Sequence, residues 1–255
     1  MTERSPAGGP VTGDTDLLAL GDIPVQRVTL SNQIAERLIE LISSDKLRAG
    51  DDLPSEARLA TAFNVSRPVI REALSHLAAL RMVELSSGRP PRVLPVTPGL
   101  LGVYFEWAVR QDLGNILELH ELRRAIESLS AELAAERASA EQKSALKTLA
   151  ADMREAIHDP VRYSELDAQL HMSIISCAEN ALMRHLAEAI QGPLRATIET
   201  GLRSLVDHPD RLEKMQCGHE GIVEAILASD GPRARALMEE HLQGASERIA
   251  SYGSR

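Results

Sequence analysis

The stretch Ser66-Arg67-Pro68-Val69-Ile70-Arg71-Glu72-Ala73-Leu74-Ser75-His76-Leu77 constrains this chain more than any other. Ser66 reads as an N-cap, because its hydroxyl can accept an orphan N–H of the first helical turn. Pro68 falls just inside the start, where its missing N–H costs nothing and its fixed φ suits a helix. Ile70, Ala73, Leu74 and Leu77 recur at helical spacing and give one buried face. Arg67 and Arg71 lie four apart, so they project together from another face near the positive end of the helix dipole. A helix built this way can meet an anion such as a phosphate backbone. An ordinary surface helix with two solvated arginines would carry the same residues, so the surroundings must decide.

Upstream, Leu30, Ile34, Leu38, Ile39, Leu41 and Ile42 form an amphipathic helix. Gly50-Asp51-Asp52-Leu53-Pro54 is a turn, and Ser55 caps a short helix through Phe63, although Ser55 with Arg58 is not a full capping box. Asn64-Val65 is a tight link, so two short helices meet across a turn as in a helix-turn-helix. Downstream, Met82–Leu85 and Arg92–Leu94 flank Ser87-Gly88-Arg89-Pro90-Pro91 and read as a small β-hairpin with Arg89 and Arg92 at its tip. Helix, helix-turn-helix and basic hairpin follow in the order of a winged helix.

Leu53-Pro54-Ser55-Glu56, Ser66-Arg67 through Arg71-Glu72-Ala73-Leu74, and Ser87-Gly88-Arg89 resemble the DNA-binding domain of the GntR family of bacterial transcriptional regulators. The resemblance runs over about residues 27 to 95. It implies that Ser66, Arg67 and Arg71 contact DNA, and that Gly88, with Arg89 beside it, lets the wing approach the minor groove. One departure stands out: the family often has arginine directly after Leu-Pro-Ser-Glu, where this chain has Ala57. Either Arg58 substitutes from the next position or one contact is missing.

The charge distribution agrees with a local nucleic-acid surface rather than a nonspecific coat. Residues 27–95 carry ten basic against eight acidic residues, a net of +2, within a chain of net charge −9. Residues 96–255 carry seventeen against twenty-five, a net of −8. The local field decides the contact. Residues 1–26, rich in Thr, Gly, Pro and Asp, read as a disordered arm, and Leu17–Leu20 is too short for a signal peptide or membrane span. Two cysteines, Cys177 and Cys217, make no disulfide scaffold; both read as small buried hydrophobes in a cytoplasmic protein.

Val96-Thr97-Pro98-Gly99 punctuates a domain boundary. From Leu100 the pattern is helical, with helices over about 99–110, 113–137, 141–158, 161–178, 181–204, 209–228 and 231–251. Aromatics are only 2% of the chain against 44% hydrophobic residues, so the core must be aliphatic. These elements predict a mainly α protein: an N-terminal winged helix-turn-helix with a small β-wing (27–95), a linker (96–99), and an antiparallel all-α bundle of about seven helices (100–255).

The bundle's chemistry lies in its histidines. Asp167 and His171 share a helix face with Leu170, Ile174 and Ala178. His219 shares a stripe with Met215, Ile222 and Ile226, and His241 follows Leu237 and Met238. Each such group needs a partner, since an unpaired buried imidazole or carboxylate costs several kcal/mol. A carboxylate and three imidazoles converging on one point would be satisfied by a divalent metal; singly, each could be a core residue bonded to backbone.

Asp167-x-x-x-His171, His219 in His-Glu-Gly-Ile-Val-Glu-Ala-Ile, and His241-Leu242 look like the FCD effector domain of FadR-type GntR regulators, as does Glu121-Leu122-Arg123-Arg124-Ala125-Ile126-Glu127. Many members of that subfamily bind a metal through this Asp and three His and recognise a small carboxylate beside it. The resemblance implies that Arg123 faces the pocket, where it could grip an effector carboxylate or pair with Glu121 or Glu127. Arg195, next to the buried stripe of its helix, is a second effector candidate. His120, His158, His185 and His208 do not match the pattern and read as surface or structural. The metal expected is zinc, with nickel, manganese or Fe(II) as alternatives. The reading is a homodimeric, cytoplasmic transcription factor on palindromic double-stranded DNA, with no enzyme activity and no membrane. The rival class is a metal-dependent hydrolase, which needs a general base beside the metal; Glu220, directly after His219, turns away on its helix.

Overall fold

The computed structural model describes residues 29–112, 114–203 and 208–253. The arm expected over residues 1–26 lies outside the described residues. The chain divides between Pro95 and Val96.

The first unit begins with α1 (Leu30–Leu41), capped by the Thr29 side chain and extended by a π-type turn over Ile42–Lys46. Helix α2 (Glu56–Phe63) starts at Ser55, whose Oγ accepts the Arg58 N–H at 3.4 Å. It ends on Asn64 in the left-handed region (φ 52°), one of the few non-glycine residues that tolerate it. Helix α3 (Arg67–Ala79) follows at once. Ser66 holds the N-cap position, but its side chain makes no capping bond, contrary to expectation; its carbonyl accepts from Val69 and Ile70 instead. Ile34, Leu38, Ile70, Leu74 and Leu77 bury a common core.

Strands β1 (Val83–Glu84) and β2 (Arg92–Val93) pair antiparallel, Val83 opposite Val93 and Glu84 opposite Arg92. Residues 50–53 add backbone bonds along the other edge of β2, with Leu53 N–H to Pro91 O at 2.7 Å and Val93 N–H to Asp51 O at 2.8 Å. Gly88 turns the wing at φ +72°, a conformation that L side chains rarely adopt. Arg89 stands at the tip, whereas Arg92 does not: it lies in β2 and pairs with Asp52 at 3.0 Å.

The second unit contains α4 (Gly99–Gln111), α5 (Asn115–Arg137), α6 (Ala140–Glu155), α7 (Pro160–Cys177), α8 (Ala181–Arg203), α9 (Pro209–Leu227) and α10 (Gly231–Gly253). The mainly α architecture with a small wing is as expected. A full capping box between Ser139 and Gln142 starts α6, and Asp159 with Pro160 starts α7. One aliphatic core joins α5, α6, α7, α9 and α10 through residues such as Ala134, Leu146, Ile174, Ile226 and Met238. A second joins α5, α7 and α8 through Leu119, Ile175 and Leu194. Cys177 is buried, but Cys217 is exposed, because position 217 falls outside the Met215–Ile222–Ile226 stripe of α9. Among the described residues, no helix is long and apolar enough to cross a membrane.

Candidate metal centre and DNA-binding surface

Helices α7, α9 and α10 bring Asp167, His171, His219 and His241 together, with one potential ligand atom from each lying within 4.8 Å of all the others. Asp167 and His171 are one turn apart on α7, while His219 and His241 arrive from α9 and α10. Gly218 lies directly against the His241 ring: a Cβ there would stand 3.4 Å from His241 Nδ1, at the edge of ordinary contact. The His219 and His241 rings are 4.2 Å apart and His171 lies 5.5 and 5.4 Å from them, centroid to centroid.

The hydrogen bonds around the cluster fix which nitrogens face inward. Gln216 Nε2 donates to Ala150 O and Glu220 Oε1, both at 3.1 Å, so its Oε1 accepts from Tyr163 OH at 2.9 Å. The Tyr163 oxygen in turn accepts from His219 Nδ1 at 3.2 Å, which leaves a lone pair on Nε2. On the other side, His171 Nδ1 donates to Glu127, whose second oxygen accepts Arg123 Nε at 2.6 Å. The Nε2 atoms of His171 and His219 are buried with no well-formed hydrogen bond, 3.9 and 3.1 Å from Asp167 Oδ1. Two inward lone pairs beside a carboxylate make a donor set that suits a divalent cation, with each imidazole's second nitrogen anchored from behind.

Electrostatics favour the metal-binding protonation states. Burial opposes charge on Asp167, yet its polar and cationic neighbours, the Arg123 guanidinium among them, hold its carboxyl well below the ordinary range. Burial likewise opposes charge on Glu127, but Arg123 and His171 bring it down to about 2. Burial pushes His219 and His241 below the usual imidazole value, so both stand neutral.

A cavity of about 490 Å³ opens beside the cluster, lined among others by Arg123, Asp167, His171, Gln191 and Arg195. Arg123 is buried and held by Glu127, while Arg195 is exposed and pairs with Glu199 at 3.0 Å. Sequence reasoning missed the supporting residues Tyr163 and Gln216, which have no motif signal. The sequence offers Glu127 only as one partner for Arg123, beside Glu121 or another acidic neighbour. His120 proves buried, at 2% exposure. His158 and His208 are exposed and His185 is half-buried.

In the first unit Arg58, Ser66, Arg67, Gly88 and Arg89 are all exposed. Arg71 is also exposed, but its Nη2 pairs with Glu56 at 2.9 Å across the turn between α2 and α3. The sequence motifs therefore fall on three features, the start of α2 with Arg58, the start of α3 and the wing tip.

Comparison with known proteins decides the class. Residues 30–93 match the family of bacterial regulatory proteins, gntR family, and residues 118–244 match the FCD domain. The chain is 30% identical over 227 residues to the HTH-type transcriptional regulator YcbG of Bacillus subtilis (strain 168), covering 88% of this chain and 92% of that one. The chain belongs to the GntR family, FCD type. It is also 27% identical to LutR of Bacillus subtilis (strain 168), an HTH-type transcriptional regulator, over 83% of this chain and 97% of that protein. The HTH-type transcriptional repressor NanR of Cronobacter sakazakii (strain ATCC BAA-894) is 29% identical, covering 88% of this chain and 86% of NanR. The solved structure of Streptococcus agalactiae GntR superposes with a TM-score of 0.60 at 28% identity, covering 86% of this chain and all of that one.

This GntR-type chain is thus a DNA-binding transcription regulator with a winged helix-turn-helix and an FCD domain, and it is not an enzyme. The hydrolase alternative falls away on chemistry too. Glu220 accepts two bonds from Arg154, at 2.8 and 2.6 Å, and is not poised as a base.

Proposed function

We propose that this regulator binds a divalent metal through Asp167, His171, His219 and His241, and that a small carboxylate entering the adjoining cavity controls its affinity for an operator. The observation that carries the reading is the pair of buried Nε2 atoms on His171 and His219 that face the Asp167 carboxylate without a well-formed hydrogen bond. One oxygen and three imidazole nitrogens suit zinc first, with nickel, manganese or Fe(II) competing by availability. Such a metal supplies positive charge that attracts an anionic ligand. Arg123 supplies a second cation on the cavity wall, and Arg195 a third nearer solvent.

At the DNA end, Arg67 and Arg71 enter the major groove from the start of α3, with Ser66 and Arg58 on the backbone and Gly88-Arg89 of the wing at the minor groove. Glu56 pairs with Arg71 before contact. One winged helix reads only a short half-site, so specific binding asks for a homodimer on a palindrome in the cytoplasm. Helix α4 offers an apolar face for that pairing, with Val103, Tyr104 and Trp107 all more than half exposed. The acid acts by favouring one placement of the two DNA-binding heads over another, which requires different affinity for the two placements.

The test is fluorescence anisotropy of an operator duplex, with the protein metal-loaded or chelated and with or without small carboxylates. A metal-dependent shift in operator affinity on adding an acid is expected. Operator affinity indifferent to every acid in both states would overturn effector control.

A further inference from the structure

Residues His120, Arg123 and Glu127 form one stripe on α5, spaced three and four apart. The last two belong to the anchoring network of His171, but His120 has no such duty. Its side chain is buried, and its Nε2 has no hydrogen-bond partner. A buried unpaired ring nitrogen is costly and asks for an explanation. His120 also lines a small hollow of about 30 Å³, whose wall includes Arg123, Asp167, His171 and His241. Arg123, Asp167, His171 and Ile198 line the larger cavity as well, so the two spaces adjoin along a shared wall. His120 is not among the four residues whose ligand atoms cluster within 4.8 Å, so it stands outside the proposed metal's ligand set.

We infer that His120 is a specificity-determining residue of the effector site, hydrogen-bonding one hydroxyl-sized polar group of the acid held beside Arg123. This inference rests on the effector reading above. The hollow has the room of about one water molecule, so the group it takes is a single polar atom rather than a second carboxylate. A hydroxyl both donates and accepts, so it pairs with Nε2 in either tautomer of the ring. Burial and then the neighbouring Arg123 cation keep the imidazole uncharged, so it selects by hydrogen bonding and not by adding charge. The ligand class that fits is a short hydroxy acid: carboxylate at Arg123, hydroxyl at His120, and the remaining carbon skeleton in the 490 Å³ cavity.

Matched acids with and without the hydroxyl test this by isothermal titration calorimetry on the metal-loaded, full-length protein: glycolate with acetate, lactate with propionate, malate with succinate. Wild-type protein should bind the hydroxy member of at least one pair about tenfold or more tightly than its partner, the worth of one hydrogen bond in a buried site. His120→Phe should bring that pair within about twofold by weakening the hydroxy acid alone, and His120→Gln should keep most of the preference. His120→Leu serves if the phenyl ring is not tolerated, and metal content by elemental analysis should be unchanged in all three. Equal affinity within every pair for wild type, or equal weakening of both members in His120→Phe or His120→Leu, would overturn the assignment while leaving effector control standing. Loss of metal from these variants would overturn it as well, by placing His120 in support of the metal. Wild-type protein that binds no acid of the set would defeat the hydroxy-acid assignment, and the operator assay would then judge effector control separately.

Discussion

Replacing Tyr163 with Phe removes one oxygen and keeps the ring, in a side chain only 2% exposed. That oxygen accepts from His219 Nδ1 at 3.2 Å and donates to Gln216 Oε1 at 2.9 Å, so its loss strands two buried polar atoms. Gln216 keeps its other anchors on Ala150 and Glu220, and His219 keeps none on its Nδ1 side. Leaving a buried donor or acceptor unmatched costs about 1–3 kcal/mol per group, so with two groups stranded the metal-free variant should unfold about 2–6 kcal/mol more easily. The damage to the metal site is separate. With its tautomer and ring orientation released, His219 should bind metal more weakly, and losing such a support typically costs about 10–100-fold in affinity. Urea unfolding under chelation reads the first effect, and competition with a chromophoric chelator reads the second. Operator binding of the chelated variant should match chelated wild type. A Tyr163→Phe protein with wild-type metal affinity and an unchanged unfolding midpoint would refute the argument that this hydroxyl orients His219.

Four further outcomes are expected. Arg67→Ala and Arg71→Ala should each weaken operator binding in fluorescence anisotropy, the base-reading one by about 1–3 kcal/mol with relaxed specificity; unchanged affinity in both would remove α3 from the interface. Glu56→Ala frees Arg71 from its ion pair and should alter operator affinity only slightly in the same assay, since both partners are exposed. Burial brings His120 to about 4 and lowers His219 and His241, so below about pH 6.5 the unfolded chain binds protons that the folded chain refuses. The chelated protein should therefore lose stability as pH falls from about 6.5 towards 4, with His120 alone accounting for about 2 kcal/mol by about pH 5, and urea midpoints across that range check it. Trp107→Glu, on the exposed face of α4, should lower the mass seen by light scattering and weaken operator binding with it.

Local rules made much of this molecule legible. The Pro68 start and the Ile70–Leu77 stripe marked α3, and the spacing of Asp167 and His171 placed both on the inner face of α7. The same rules stop at contacts between distant segments. His171 meets Glu127 across 44 residues and His219 meets Tyr163 across 56, so neither partner leaves a trace in helical periodicity. Arg71 finds Glu56 only once α2 and α3 close their turn. The hairpin sequence by itself places Arg92 at the wing tip, whereas its partner Asp52 comes from the neighbouring edge, forty residues away. Ser66 looked like a cap because its position and type fit, although its hydroxyl takes no part. His120 fell outside the recognised motif, and its burial follows from the packed face that it shares with Arg123 and Glu127.

In the function proposed above, Asp167, His171, His219 and His241 hold a metal on which the response to an acid depends. Elemental analysis of gently purified wild type and His219→Ala, paired with a thermal-shift screen of small carboxylates, tests it most directly. Wild type should carry close to one divalent metal per chain and shift with an acid. His219→Ala should lose both the metal and the shift, yet still bind operator DNA in the absence of acid. Wild-type protein that carries no metal and takes none up on reloading would contradict the metal site; a His219→Ala protein with an undiminished acid response would contradict its role in signalling.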